Sequence, residues 1–414
     1  MIGSVQKDWG EVVVPSGDRQ LFVQDRSHNM QSVLLRLYRA GIDPASFDAV
    51  YSTDEWAVVA ASLFGAAFGV PSLPPRVAAT FRDKSLQKTA VRAAGVPVAD
   101  FMVIEDLSDL PEDFSLPYPR AVLKPVAAGG TEDTSLITCD ADLRAAADRL
   151  RSQHWVGRQL RTFILEEFVP GEELHVDGVV FDGQVQFVSV GAYRAPCLSA
   201  VTESLPLTTS LFDPVDDAAI YDLVVPVAKR SVAALGLEAG VFHMELFHDE
   251  ESGRLVFGEC AARRGGGLVQ EEVLHKFGVS LAHAAIQCAL GIDPALKPEV
   301  RPGAVGHMQL PYVPGTLLSC PSAKDLMALP NVEFATIEIP SGYVMGRTGD
   351  TVSKIGSLML TAGSQKEMYQ RADEIHQWFL DRVVASPLDV SPAQLRAWNA
   401  RQEARRAGEA PAPS

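Results

Sequence analysis

Two glutamates, Glu245 and Glu259, stand inside the apolar segments HMELF and FGECAARRGGG. Alternation along the first segment puts His243 and Glu245 on one face of a strand and Met244 on the other. Carboxylates that close in apolar surroundings repel unless a cation lies between them, and hard Mg²⁺ with oxygen ligands is the economical answer. A buried network with Arg263 or Arg264 is the competing account. Lys84 opens a helical segment, while Lys124 ends the apolar run AVLKPV just before Pro125. Burying an unpaired ammonium is costly, so its head must meet an anion or escape to water. Directly after it come Ala127, Ala128, Gly129, Gly130 and Thr131. Small residues let backbone N–H groups approach a phosphate, and the threonine adds a hydroxyl. The run EEFVPGEE over 166–173 sets two acidic pairs around a strand end and a turn. Singly, each has an ordinary explanation: a solvated lysine, a tight turn, a hydrated acidic loop.

The elements that must position these residues alternate between helix and strand signals. Runs over 11–15, 21–23 and 49–52 read as short strands. Residues 32–40 (SVLLRLYRA) have helical spacing and meet Gly41, a natural C-cap. Thr53 and Asp54 are placed to N-cap a helix over 55–69, and the proline-rich stretch 70–75 breaks the pattern. This predicts a small N-terminal α/β unit with a parallel sheet. A second helix is expected over 83–94. Strands are expected at 121–125 and 163–169, with a helix over 141–150 between them. Two more strands, 174–181 and 184–192, flank Asp182-Gly183, a hairpin signal. A helix over 216–235 must be kinked or divided by Pro226. Strands over 241–247 and 254–259 follow, then a helix after the triple glycine, and short strands with a final helix over 365–383. The tail from 386 carries no apolar core and is expected to be mobile.

Whole-chain numbers bound the class. A length of 414 residues exceeds one small core, and 47% hydrophobic with 21% charged residues is the balance of a soluble globular enzyme. Net charge is −16, from 36 basic and 52 acidic residues, which argues against nucleic acid or an anionic membrane as partner. The five cysteines form no CxxC pair, and the first residues, MIGSVQKDWGEVVV, contain no apolar leader segment. The expectation is a reducing compartment, the cytoplasm.

Taken in order, the pieces stop being independent. DEWAVVAASLFGAAFGVP, RDKSLQKTAVRAAGVPV, VLKPVAAGG, LEEFVPGEELHVDG and HMELF…FGECAARRGGG make this chain similar to ATP-grasp carboxylate–amine ligases. The branch it resembles is that of bacterial L-amino acid (dipeptide) ligases and carnosine-synthase-type enzymes. The resemblance covers roughly 54–267. It implies an α/β (α+β ATP-grasp) fold: an N-terminal Rossmann-like domain over 1–80, a linking helix and connection over 81–118, a small lid subdomain over 119–192, and a large C-terminal domain over 193–385.

The resemblance also implies roles. Lys84 and Lys124 would hold the α- and β-phosphates of ATP, and Ala128, Gly129, Gly130 and Thr131 would close over the triphosphate. Glu166, with the backbone of Glu167, Phe168 and Val169, would meet the adenine edge, and Glu173 the ribose. Glu245 and Glu259 would carry Mg²⁺, with Mn²⁺ as a substitute. Arg263 would steady the phosphate in flight, with Lys124 and His243 beside it as catalytic residues. Arg263, Arg264 and Arg347 would contact substrate, and His175, His307, Tyr193 and Arg194 stand near by position. Family members commonly carry Asn where this chain has Ala261, which leaves one or two ions open. The expected chemistry is amide formation through an acyl phosphate. The partners are a small carboxylate and an amine of amino-acid type, and a homodimer is the usual assembly among similar ligases. A bicarbonate-activating carboxylase and a non-catalytic nucleotide-binding regulator are the alternatives.

Overall fold

The computed structural model describes residues 2–3, 22–23, 30–152, 162–203, 205–249, 251–311, 314–346, 350–351 and 353–386. The tail from 387, the expected strand over 11–15 and Arg347 lie outside them.

Two antiparallel sheets position the site. The first has four strands in the order Phe101–Ile104, Phe163–Glu167, Ala121–Pro125, Ser135–Ile137. One face carries Ala121, Leu123, Phe163 and Leu165 into a core shared with the helix Asp140–Ser152. The alternate residues Val122, Lys124, Ile164 and Glu166 therefore point the other way. The second sheet has five strands: Arg254–Ala261, Gly240–Asp249, Glu172–Phe181, Gln184–Tyr193 and Thr209–Leu211. Its middle hairpin turns at Asp182 and Gly183, with φ of 52° and 67°, the left-handed pair that the Asp-Gly signal predicts.

Period-two alternation divides the five-stranded sheet cleanly. Leu174, Val176, Phe242, Met244 and Leu246 pack on one side against the helices Lys84–Ala93 and Ala218–Leu235. Val179 and Val241 face the other side, under the helices Val269–Phe277 and Leu281–Ala289. The same face continues along each strand to His175 and Asp177, and to His243 and Glu245, so one surface is apolar at one end and ionisable at the other. A third sheet, in the order Ala304–Leu310, Gly356–Ala362, Val332–Ile337, packs with the helix Gln365–Leu380.

Several expectations need correction. Residues 49–52 form no strand; only Val50 N–H donates to Pro71 O, at 2.8 Å, since no described neighbour offers a ladder to join. The two described N-terminal strand fragments, Ile2–Gly3 and Phe22–Val23, do pair in parallel. The helix after Asp54 begins at Val58 rather than 55. Asp54 Oδ1 accepts from Trp56 N–H at 2.9 Å, closing a turn that leaves Glu55 outside the helix. Pro226 does not divide its helix, which runs unbroken from Ala218 to Leu235. Pro226 and Asp222, whose carbonyl loses its helical donor, are both exposed, so water can satisfy that oxygen. Pro75 opens a helix, Pro75–Arg82, where prolines had read only as breakers. The hairpin that follows the four-stranded sheet, Glu172–Phe181 and Gln184–Tyr193, belongs wholly to the five-stranded one.

Candidate active site

The ionisable end of the five-stranded sheet and the polar face of the four-stranded sheet line one cavity of about 1880 Å³. Glu245 and Glu259 are direct cross-strand partners, because a bulge after Glu245 skips Gly258 and re-aims Glu259. Burial, then the charges of Glu259 and Glu173, push the Glu245 carboxyl up to about 8. Burial also opposes the charge on Glu259, but Lys84 and Lys124 outweigh it and hold that group down to about 2. Lys84 Nζ lies 2.9 Å from Glu259 Oε2 and donates to Ala128 O at 2.8 Å.

The helix Lys84–Ala93 supplies two lysines on one face. Asp83 caps it, Oδ1 accepting from Ser85 N–H and Leu86 N–H at 2.8 and 3.1 Å. One turn beyond Lys84, Lys88 reaches Glu166 Oε2 at 2.9 Å, as residues four apart share a helix face. Lys124 Nζ meets the other oxygen, Glu166 Oε1, at 2.5 Å. Burial disfavours all three charges. At Lys88 it prevails and lowers the pKa. At Lys124 the carboxylates Glu166 and Glu259 reverse it and raise the pKa. At Glu166 the two lysines win and keep the carboxyl below its ordinary value.

Arg263 projects from the loop after the last strand of the five-stranded sheet. Its Nε donates to Glu55 Oε2 at 2.7 Å and its Nη1 to Arg264 O at 2.8 Å. Glu55 also faces Arg82 Nη1 at 3.6 Å, and Arg82 donates to the carbonyls of Ala127 and Ala128. Behind the cavity, Asp177 accepts from both His175 Nδ1 and His243 Nδ1, each at 2.9 Å. That fixes the His243 ring with Nε2 toward Glu245, 4.0 Å away. Gly265 permits this packing, since a Cβ there would lie 2.8 Å from His243 Nδ1.

Lys84, Lys124, Ala128, Gly129, Gly130, Thr131, Glu166, Glu167, Phe168, Val169 and Glu173 all line the cavity, as do His243, Glu245, Glu259, Arg263 and Arg264. Gly130 and Thr131 are both left-handed, with φ of 66° and 59°, and Gly130 O accepts from Thr351 N–H at 2.9 Å. Buried Glu173 accepts from Cys197 N–H at 2.7 Å. Tyr193 and His307 line the cavity, whereas Arg194 is turned to Asp373 and buried His175 lies behind the wall. Glu55, Arg82, Lys88 and Asp177 were not anticipated. The available signals were the i, i+4 spacing of Lys84 and Lys88 and the i, i+2 spacing of His175 and Asp177.

The donor set suits a hard divalent cation. Glu245 and Glu259 offer only oxygen, and the high pKa of Glu245 marks a carboxylate pair short of positive charge.

Residues 116–272 match the family model of the ATP-grasp domain. The fold agrees: an L-amino acid ligase from Bacillus licheniformis superposes with a TM-score of 0.68 at 19% identity, over 89% of this chain and 88% of that one. The matched stretch, less than half of the chain, is similar to the ATP-grasp domain. The chain is 28% identical over 293 residues to the L-arginine-specific L-amino acid ligase of Bacillus subtilis, covering 70% of this chain and 68% of that protein. Mouse carnosine synthase 1 is 34% identical over 166 residues, 40% of this chain but only 19% of the synthase. Among the described residues, no helix is long and apolar enough to cross a membrane.

Proposed function

We propose that this chain is an ATP-dependent carboxylate–amine ligase that joins amino-acid-type substrates in the cytoplasm, through an acyl phosphate. The observation that carries the reading is the gathering of Lys84, Lys124 and Arg263 around one cavity with Glu245 and Glu259. A carboxylate oxygen must bond to the γ-phosphorus while the bond to the β–γ bridging oxygen breaks and ADP leaves. That brings anion against anion, and cations fixed along the path offset the repulsion where charge develops. Lys84 and Lys124 would hold the phosphates, Glu166 would meet the adenine amino group, and Arg263 would steady the transferring phosphoryl group. Glu245 and Glu259 would hold Mg²⁺, which supplies charge neutralisation when bound.

The acyl phosphate is reactive and must be kept from water. The loop through Gly130 and Thr131 lines the cavity and is suited to that task. A neutral amine then attacks the acyl carbon, the amine proton leaves, and phosphate is expelled. Positioning contributes much of the rate, so no protein nucleophile is needed.

An ADP-release screen over pairs of amino acids and small carboxylates, with mass spectrometry of the products, tests the reading. The expected product is an amide, with one ADP per bond. ADP release driven by bicarbonate alone would reassign the chain to carboxylation. Lys124→Ala and Glu259→Ala are each expected to abolish ADP formation, and near-normal turnover in either would refute the site map.

A further inference from the structure

Lys88 is almost wholly buried, at 1% exposure, yet it takes no part in the chemistry outlined above. Its Nζ is held at two points, Glu166 Oε2 at 2.9 Å and Phe257 O at 3.2 Å, the second belonging to the strand that carries Glu259. Glu166 is thus clamped between two ammonium groups, one per oxygen. The lysines differ in reach: Lys124 has 13% of its side chain exposed to the cavity, Lys88 only 1%. A phosphate entering the cavity competes with Glu166 for Lys124. A carboxylate stripped of its last cation in such a site would take up a proton.

Resting on the ligase reading above, we propose that Lys88 is a positioning residue for nucleobase recognition: it keeps Glu166 ionised and aimed into the cavity after Lys124 has turned to phosphate. An ionised carboxylate accepts from the exocyclic amino group of adenine and repels the carbonyl oxygen that guanine presents there. A protonated carboxyl can donate to that oxygen. Lys88 therefore sets the preference for ATP over GTP without touching the nucleotide.

The test compares ATP and GTP affinity by calorimetry in the full-length protein, with Mg²⁺ present. Wild type is expected to prefer ATP, and absence of nucleotide binding there would overturn the ligase reading itself. Lys88→Met should weaken ATP by about tenfold or more, the usual loss for a charge-assisted contact. GTP should change much less, so selectivity falls, and Lys88→Arg should restore it. A Lys88→Met protein that binds both nucleotides in the wild-type ratio overturns the proposal, as does one that loses both equally. If Lys88→Met does not fold, the comparison moves to Glu166→Gln with and without Lys88→Met, which leaves no unpaired buried carboxylate. Equal ATP:GTP ratios in those two support action through Glu166; unequal ratios exclude it.

Discussion

Asp177 is the residue whose chemistry is most tightly determined by its neighbours. Burial works against its charge, yet His243 and His175 hold its carboxyl far below the ordinary 3.8. For His243 the balance is mirrored: burial opposes the imidazolium, and Asp177 raises its pKa above 6.5. A depressed carboxylate contributes stability present above its unfolded pKa and lost as pH falls through the folded value. A raised histidine contributes stability that is full below its unfolded pKa and lost as pH rises through the folded one. Both contributions are complete only between about pH 4 and 6.5. Asp177→Asn should therefore destabilise by about 3 kcal/mol in that window, the scale for breaking a buried pair, and by less at pH 9. Melting temperatures of both proteins from pH 4 to 9 check this; a constant difference would disprove the coupling. At this scale the sequence was only half readable. Lys124, Glu245 and Glu259 announce themselves as charges in apolar strands. Lys88 and Glu55 do not, because KSLQKTAVRA reads as an ordinary amphipathic helix. Their partners Glu166 and Arg263 lie 78 and 208 residues further along the chain, and only the folded sheets bring them within reach.

Elements were legible where a local rule had no rival. Asp-Gly between two alternating runs specified the hairpin, and the helix expected over 83–94 is observed as Lys84–Ala93. They were misread where one residue serves two rules. Proline ends a helix from inside but begins one at its first position, as Pro75 does. Pro226 shows tertiary packing overriding propensity: Val224, Val227 and Ala228 bury against the five-stranded sheet and carry the helix through. The missing hydrogen bond should then be recoverable. Pro226 is exposed, so Pro226→Ala restores a donor for the Asp222 carbonyl without disturbing the core. The expected gain is about 1–3 kcal/mol, the upper end being the full proline penalty of an isolated helix. Thermal unfolding reads it as a raised melting temperature with unchanged activity, and a drop would mean that the ring itself is needed for packing.

At the scale of the molecule, the cavity is a joint as well as a site. The core of the four-stranded sheet draws only on residues between Met102 and Leu165, while the five-stranded sheet has its own cores on both faces. Between them run the Lys88–Glu166 ion pair, the hydrogen bonds of Arg82 and Lys84 to the carbonyls of Ala127 and Ala128, and a few backbone bonds such as Lys84 N–H to Val126 O. The two units should therefore unfold separately when nothing fills the cleft. A nucleotide bound to Lys124 and Glu166 from one unit and to Lys84 and Glu259 from the other would tie them together. By mass action, ligand at a hundred times its dissociation constant adds about 2.7 kcal/mol to whatever must open to release it. Scanning calorimetry of the nucleotide-free protein should show two transitions, the lower belonging to residues 101–167. Addition of MgATP should raise the lower transition until the two merge, and Glu259→Ala should prevent the merger. Hydrogen exchange assigns the early-melting segment directly. A single transition that shifts as a whole would show that the sheets already fold as one unit, and would leave nucleotide binding with no part in joining them.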